Sequence, residues 1–259
     1  MKETLEINKI YNEDCLETMA KMPDNFIDLT VTSPPYDDLR TYNSLFDLDK
    51  ICNELYRITK QGGVCVWVVG DKSVNGSESG TSFKQALKFM QCGWNLHDTM
   101  IFKKKNPMPY IKKNCYTQAF EYMFVFSKGT PKTANMLTEP CNYAGVTITS
   151  TNTNEQSMKA KKKVYHTKDE KIRHNVFEYV LAGTNYGHPA IFPKQLAVDH
   201  IKSWSNEGDL IFDCFMGSGT TAKMAIENNR NYIGSEISEE YCSIANNRIQ
   251  NYLLQQKLF

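Results

Sequence analysis

The chain has no apolar run near the ~18 residues that a membrane-spanning helix needs. Its opening stretch, MKETLEINKIYNEDC, has no hydrophobic signal core. Both absences lead to the expectation of a cytoplasmic protein with no membrane segment. Clustered metal ligands are also missing. Eight cysteines stand at 15, 52, 65, 92, 115, 141, 214 and 242 and five histidines at 97, 166, 174, 188 and 200, without a CxxC or an HExxH among them. Scattered, reduced thiols and no bound metal are therefore expected. Glycine and proline are ordinary, 14 and 9 in 259 residues, which excludes collagen-like and low-complexity classes. An excess of either charge is lacking too, with 30 Lys+Arg against 29 Asp+Glu, and this argues at first against a polyanionic partner.

What is present changes that first impression. Between Asn12 and Glu54 ten acids face three bases. Positive charge gathers elsewhere: five lysines and no acid from Lys103 to Lys113, and seven bases against two acids from Lys159 to Arg173. Blocks of this kind are often only solvated faces; with a second signal they become candidates for phosphate contact. With 41% apolar residues, the length suits one large α/β domain with a small insertion.

Strand and helix signals alternate along most of the chain. Phe26 to Thr32 is a β-rich run ending at Ser33-Pro34-Pro35, where proline forbids a central strand. Leu48, Ile51, Leu55 and Ile58 form a helical stripe within Asp47 to Lys60, and Gly62-Gly63 is the expected stop. Val64 to Val69 reads as a buried strand. A helix capped by Thr81-Ser82 follows, with Phe83, Ala86, Leu87 and Met90 as its inner face. Thr99 to Phe102 and Phe120 to Phe126 are further strand candidates. Residues 129 to 186 lack clear periodicity and are expected to form a loop-rich insertion. Alternation then resumes: Pro193 at a first helical position, a stripe of Leu196, Ala197, Ile201 and Trp204, a strand over 210–213, a helix opened by Gly217-Ser218-Gly219, a strand over 231–236, and a last helix capped by Ser238. This order implies a mainly parallel sheet covered by helices on both faces.

Two constellations carry chemistry. In Asp213-Cys-Phe-Met-Gly-Ser-Gly-Thr-Thr221, a strand delivers a glycine turn into a helix N-terminus, and Glu236 ends the next strand. Free N–H groups at such a terminus suit an anionic ligand group, and the acid is placed to accept from ribose hydroxyls. The spacing matches neither GxGxxG nor GxxxxGK[ST]; a ligand with a carboxylate and a ribose but no pyrophosphate would need fewer glycines, and S-adenosylmethionine is such a ligand. Alternatively, this is a glycine turn with no ligand. The second constellation is Leu29-Thr-Val-Thr-Ser-Pro-Pro-Tyr36, a strand running into a rigid extended turn. Ser33 Oγ and the Pro34 carbonyl can accept two N–H bonds from an exocyclic amine while Tyr36 stacks on a planar heterocycle. The plainer reading is a proline turn with a core tyrosine.

Together, VTSPPY and FDCFMGSGTT resemble the amino-methylating DNA methyltransferases, which modify N4 of cytosine or N6 of adenine. With SPPY near the N-terminus and the glycine loop near the C-terminus, the order resembles that family's permuted β group. The resemblance covers nearly the whole chain outside the insertion. It implies a Rossmann-like fold with a mostly parallel seven-stranded sheet, divided as a catalytic half (1–128), a target-recognition insertion (129–186) and a cofactor-binding half (187–259). It also implies S-adenosylmethionine as methyl donor and double-stranded DNA as substrate. Ser33, Pro34, Pro35 and Tyr36 become the catalytic turn. Asp14 and Cys15, in the acidic motif Asn12 to Leu16, would meet the adenine; Asp213, Phe215, Gly217, Gly219 and Thr220 would embrace the methionine moiety, and Glu236 would hold the ribose. His188 to Pro193 is similar to the segment that closes over that moiety. Cys214 departs from the family's usual proline. Lys103, Lys104, Lys105, Lys161, Lys162, Lys163 and Arg173 are the expected DNA contacts. A homodimer and a separately encoded restriction endonuclease are further partners the resemblance suggests. Serine at the head of SPPY leans toward N4 of cytosine, with N6 of adenine the alternative; a non-catalytic DNA-binding regulator of the same fold is a reading from a different class.

Overall fold

The computed structural model describes residues 5–35, 47–107, 109, 115–152, 161–181 and 193–256, with 74, 150–152 and 161–163 described by backbone only. Tyr36 and residues 188–192 lie outside them. The first half of the chain forms β1 (Lys9–Tyr11), α1 (Cys15–Lys21), β2 (Ile27–Thr32), α2 (Leu48–Ile58), β3 (Thr59–Val69), a small pair β4 (Ser73–Val74) and β5 (Ser77–Glu78), α3 (Thr81–Gln91), β6 (Asn95–Lys104) and β7 (Phe120–Ser127). Then come β8 (Thr138–Pro140), β9 (Thr147–Asn152), β10 (Lys161–His166), β11 (Glu170–Ile172) and β12 (Val176–Tyr179). The chain closes with α4 (Lys194–Trp204), β13 (Leu210–Asp213), α5 (Thr220–Glu227), β14 (Asn231–Ser235) and α6 (Glu239–Gln256). Among the described residues, no helix is long and apolar enough to cross a membrane.

Among the described residues, eight strands form the main sheet in the order β1-β14-β13-β2-β3-β7-β6-β12, where seven were expected. All neighbours run parallel except β7, which is antiparallel to β3 and β6. The extra strand is β12, which pairs with β6 from Val176↔Ile101 to Tyr179↔Lys104 and so joins a stretch expected as loop to the sheet. Its Phe177 and Tyr179 are buried on alternate positions, too short a signal to stand out in sequence.

From the centre the chain winds outward in both directions: β2 passes through α2 to β3 on one side, and β13 passes through α5 to β14 on the other. The neighbours β2 and β13 thus form the switch point, outside whose carboxyl ends open α/β sheets bind ligands. Both strands are almost wholly buried, as parallel strands covered on two faces must be. Trp67, Phe89, Phe126 and Phe212, with Met19, Ile51 and Leu55, build the core beneath α1, α2 and α3. Phe89 stacks on Phe126 at 4.4 Å.

Two helix readings need correction. Helix α2 stops before the glycines, because Thr59 turns extended and its Oγ1 donates to the Leu55 carbonyl at 2.7 Å; β3 begins there and absorbs Gly62-Gly63 as an irregularity against β2. Helix α3 buries Ser82, Gln85, Ala86 and Phe89, leaving Phe83, Leu87 and Met90 exposed. Three polar bonds impose that rotation. Trp67 Nε1 donates to buried Gln85 Oε1 at 2.7 Å, and Asp71, at the end of β3, accepts from Ser82 N at 3.0 Å and also from the Ser82 hydroxyl. The expected Thr81-Ser82 cap is therefore replaced by Gly80 in the left-handed region with an acid from the sheet.

The chain divides into two compact units, residues 1–135 with 175–259, and residues 136–174. In the smaller unit β8 pairs with β11 and β9 with β10, both antiparallel. The β9–β10 register runs from Thr147↔His166 to Asn152↔Lys161. Its β-branched threonines favour a strand. Ile148, Val164 and Tyr165 are nonetheless exposed, so no apolar alternation announces the ribbon in the sequence.

Candidate active site at the carboxyl edge of the sheet

From Asp213 the chain turns through Cys214 to Gly219 into α5. Gly219 has φ 79°, and a Cβ there would lie 2.8 Å from Ala245 Cβ and 3.1 Å from its Cα, so glycine lets α5 start against α6. Gly217 N–H donates to Glu236 Oε2 at 2.7 Å and Ser238 N–H to Oε1 at 2.9 Å, which fixes the half-buried Glu236 at the end of β14. Asn12 Nδ2 donates to the Glu236 and Ile237 carbonyls at 2.9 and 3.2 Å, drawing the end of β1 alongside. Asp14 follows there, capping α1 through Leu16 N–H at 2.8 Å, and Cys15 is buried next to it. Burial, helped by the charge of Asp14, pushes the Cys15 thiol up to about 12, so it is neutral and unreactive.

Asp213 is 5% exposed and its carboxylate faces the protein. Thr32 Oγ1 donates to Asp213 Oδ1 at 2.6 Å and Phe215 N–H to the same oxygen at 3.0 Å. Burial, with the nearby Glu236 charge, pushes Asp213 up to about 6 against the bonds from Thr32, Thr221 and Phe215. Phe215 is half-buried and sets its ring edge-on to Trp67 at 6.0 Å. On the other side of the switch point, Ser33 is half-buried, Pro34 buried and Pro35 exposed just beyond β2. Since Leu29 pairs with Ile211 and Thr30 with Phe212, the proline turn and the glycine loop leave adjacent strands in the same direction.

The basic residues are not equivalent. Lys104 is 17% exposed and ion-paired with Glu121 at 2.7 Å. Lys103 pairs with Glu178 at the surface, and Lys105 is exposed. Arg173 is half-buried in the smaller unit, where residues 161–163 lie on β10. Three residues of the site escaped sequence reading: Thr32, Asn12 and Arg248, whose guanidinium donates to the Ser218 carbonyl and, at 2.8 Å, to Ser218 Oγ. Arg248 lies 30 residues from Ser218 and carries no motif, whereas Thr32 and Asn12 stand inside motifs whose neighbours drew the attention.

A parallel sheet with one reversed strand, a glycine loop and an acid on adjacent strand ends, and a proline turn across the switch point define a Rossmann-like methyltransferase. PvuII DNA methyltransferase, described as cytosine-N4-specific, superposes with a TM-score of 0.71 at 20% identity over 93% of this chain and 86% of that one. A DNA modification methylase of Thermus thermophilus, complexed with S-adenosyl-L-methionine, gives 0.64 at 22% identity over 94% and 93%. The DNA methylase family model matches residues 27–247. The orphan methyltransferase M.BamHII of Bacillus amyloliquefaciens is 53% identical over 89% of this chain and 91% of its own length, and the type II methyltransferase M.BglII of Bacillus subtilis 28% over 92% and 68%. The chain belongs to the N6/N4 DNA methylase family. It is thus a DNA methyltransferase that takes its methyl group from S-adenosylmethionine.

The residues present fit that donor. Each Glu236 oxygen accepts one backbone N–H and keeps a lone pair for a ribose hydroxyl. At the start of α5, Thr220 Oγ1 is buried without a hydrogen-bond partner among the described residues, as is Ser235 Oγ ahead of Glu236. Polar atoms left open beside the glycine loop suit a polar ligand group better than an apolar one.

Proposed function

We propose that the protein methylates the exocyclic amine of a base flipped out of duplex DNA, with N4 of cytosine as the target. The observation that carries this reading is the emergence of the Ser33-Pro34-Pro35 turn and the Cys214–Gly219 loop from adjacent parallel strands. A base inside a duplex cannot bring its amine to that edge, so it must leave the stack. Ser33 Oγ and the Pro34 carbonyl accept the two N–H bonds of the amine, and Tyr36 stacks on the ring. These acceptors orient the nitrogen lone pair and draw electron density from the N–H bonds toward the nitrogen. Bound S-adenosylmethionine supplies an electrophilic methyl on a sulfonium. Glu236 holds its ribose, Asp14 and the Cys15 region border the adenine, and the 215–220 loop surrounds the methionine moiety.

Transfer is direct, with no covalent intermediate on the enzyme: the amine nitrogen gains the methyl as the methyl–sulfur bond breaks, the neutral thioether is the leaving group, and the surplus N–H proton passes to solvent. The buried cysteines support this: burial pushes Cys15, Cys65 and Cys214 away from the thiolate form a nucleophile needs. Residues 161–163, Arg173, Lys103 and Lys105 neutralise phosphates of the DNA, while Lys104 is assigned to the fold. The serine at the head of the SPP turn supports cytosine over adenine, as does the likeness to a fold neighbour described as cytosine-N4-specific. Mass spectrometry of nucleosides from DNA incubated with enzyme and isotopically labelled cofactor tests the target atom. Labelled N4-methylcytosine is expected. Labelled N6-methyladenine alone overturns the choice of base, and no labelled base on diverse genomic DNA favours a non-catalytic DNA-binding role.

A further inference from the structure

Thr32 has no part in the chemistry described so far, yet it stands between the two halves of the site. We propose that Thr32 is a positioning residue: its hydroxyl, bonded to Asp213, holds the Ser33-Pro34 turn in register with the glycine loop. This rests on the proposed amine-methylation reading. The two strands it joins are connected by no local crossover, since Thr32 and Asp213 are 181 residues apart in sequence. Their backbone ladder is also short, with Leu29↔Ile211 and Thr30↔Phe212 as its paired residues.

Beyond that ladder, side chains take over. Thr32 Oγ1 donates to Asp213 Oδ1 at 2.6 Å and accepts from the Cys214 thiol at 3.6 Å. Thr221 Oγ1, from the first turn of α5, donates to the Val31 carbonyl at 3.4 Å. Each of these bonds ties the end of β2 to the last residue of β13 or to the segment that follows it. Thr32 is 1% exposed and Cys214 2%, so no solvent stands ready to replace a lost partner. The Thr32 hydroxyl is also the last side-chain anchor before Ser33, whose Oγ must meet the amine within hydrogen-bond distance. A displacement of about 1 Å at such a point is enough to slow a reaction by about a hundredfold. The Cys214 thiol thus gives Thr32 a second contact beside Asp213.

The test compares Thr32→Val, which keeps shape and removes the hydroxyl, with Thr32→Ser, which keeps the hydroxyl. Single-turnover transfer to DNA is measured at saturating cofactor, cofactor Kd by calorimetry, and amide exchange over residues 29–35 and 210–219. Thr32→Val is expected to slow transfer at least tenfold, with cofactor Kd changed less than threefold and exchange over 29–35 accelerated; Thr32→Ser is expected to stay within threefold of the native protein on every readout. Thr32→Ala replaces Thr32→Val if the latter does not fold. Native rate and exchange in the hydroxyl-free variant overturn the proposal, as does a Thr32→Ser protein as slow as Thr32→Val, because shape rather than hydrogen bonding then sets the position. If the native protein methylates no DNA, the functional reading fails, and the exchange comparison still decides whether Thr32 anchors the turn.

Discussion

The carboxyl edge of the main sheet and the β9–β10 ribbon of residues 147–166 are built in opposite ways. At the sheet edge the anchoring groups are bonded across long sequence distances, and all but the exposed Asn12 are buried or half-buried: Thr32 to Asp213, Gly217 to Glu236, Asn12 to Glu236, Arg248 to Ser218. Along the ribbon, Ile148, Val164 and Tyr165 are exposed. Two-stranded ribbons are marginal alone in water, whereas a major groove about 12 Å wide admits one. Under the proposed function this contrast is a division of labour in which chemistry sits on buried strand ends and DNA reading on a segment that gains its second surface from its partner.

The sharpest way to break this contrast is at Gly219. Gly219→Ala places a methyl against Ala245 and forces a left-handed conformation on alanine, at a cost of about 2–5 kcal/mol. Calorimetry and urea unfolding should show lost cofactor affinity and lower stability together. The ribbon predicts the reverse pattern. Replacing Lys161, Lys162 and Lys163 by alanine should leave unfolding unchanged, weaken DNA binding, and flatten the slope of log affinity against log salt by about 0.9 for each phosphate contact removed.

A smaller effect follows from burial at the sheet edge. The pKa of Asp213 is raised to about 6 from 3.8, so its contribution to stability is full below the lower value and is lost as pH rises through the higher one. Asp213→Asn abolishes that titration. The stability of the variant relative to the native protein should therefore rise by about 1–3 kcal/mol between about pH 4 and about pH 7.5, read by urea unfolding at the two pH values. A constant difference would mean that Asp213 is not held in its acid form by burial.

How much of this was legible in the sequence differed in the same way between regions. The buried parallel strands and the helices after 193 declared themselves because their apolar residues recur at the right spacing and glycine marks their ends; Leu196, Ala197, Ile201 and Trp204 are all buried as read. The positions of the proline turn and the glycine loop were legible because proline and glycine are local instructions. The rotation of α3 was not, since it depends on Gln85 meeting Trp67 and on Asp71 meeting Ser82, contacts between elements that no helical period encodes. Residues 136–174 were missed as strands for a related reason. A ribbon with its apolar side chains exposed needs no alternation, so threonine-rich sequence reads as loop. Thr32 and Arg248 were invisible as site residues because their partners lie 181 and 30 residues away.

In the proposed function, methyl transfer happens where β2 and β13 end side by side, with Ser33 holding the amine. Single-turnover transfer to DNA by the native protein and by Ser33→Ala, at saturating S-adenosylmethionine with cofactor Kd measured in parallel, tests it most directly. A loss of about a hundredfold in transfer is expected, with cofactor Kd unchanged within threefold. Transfer at the native rate in Ser33→Ala would contradict it, as would a loss fully explained by weaker cofactor binding.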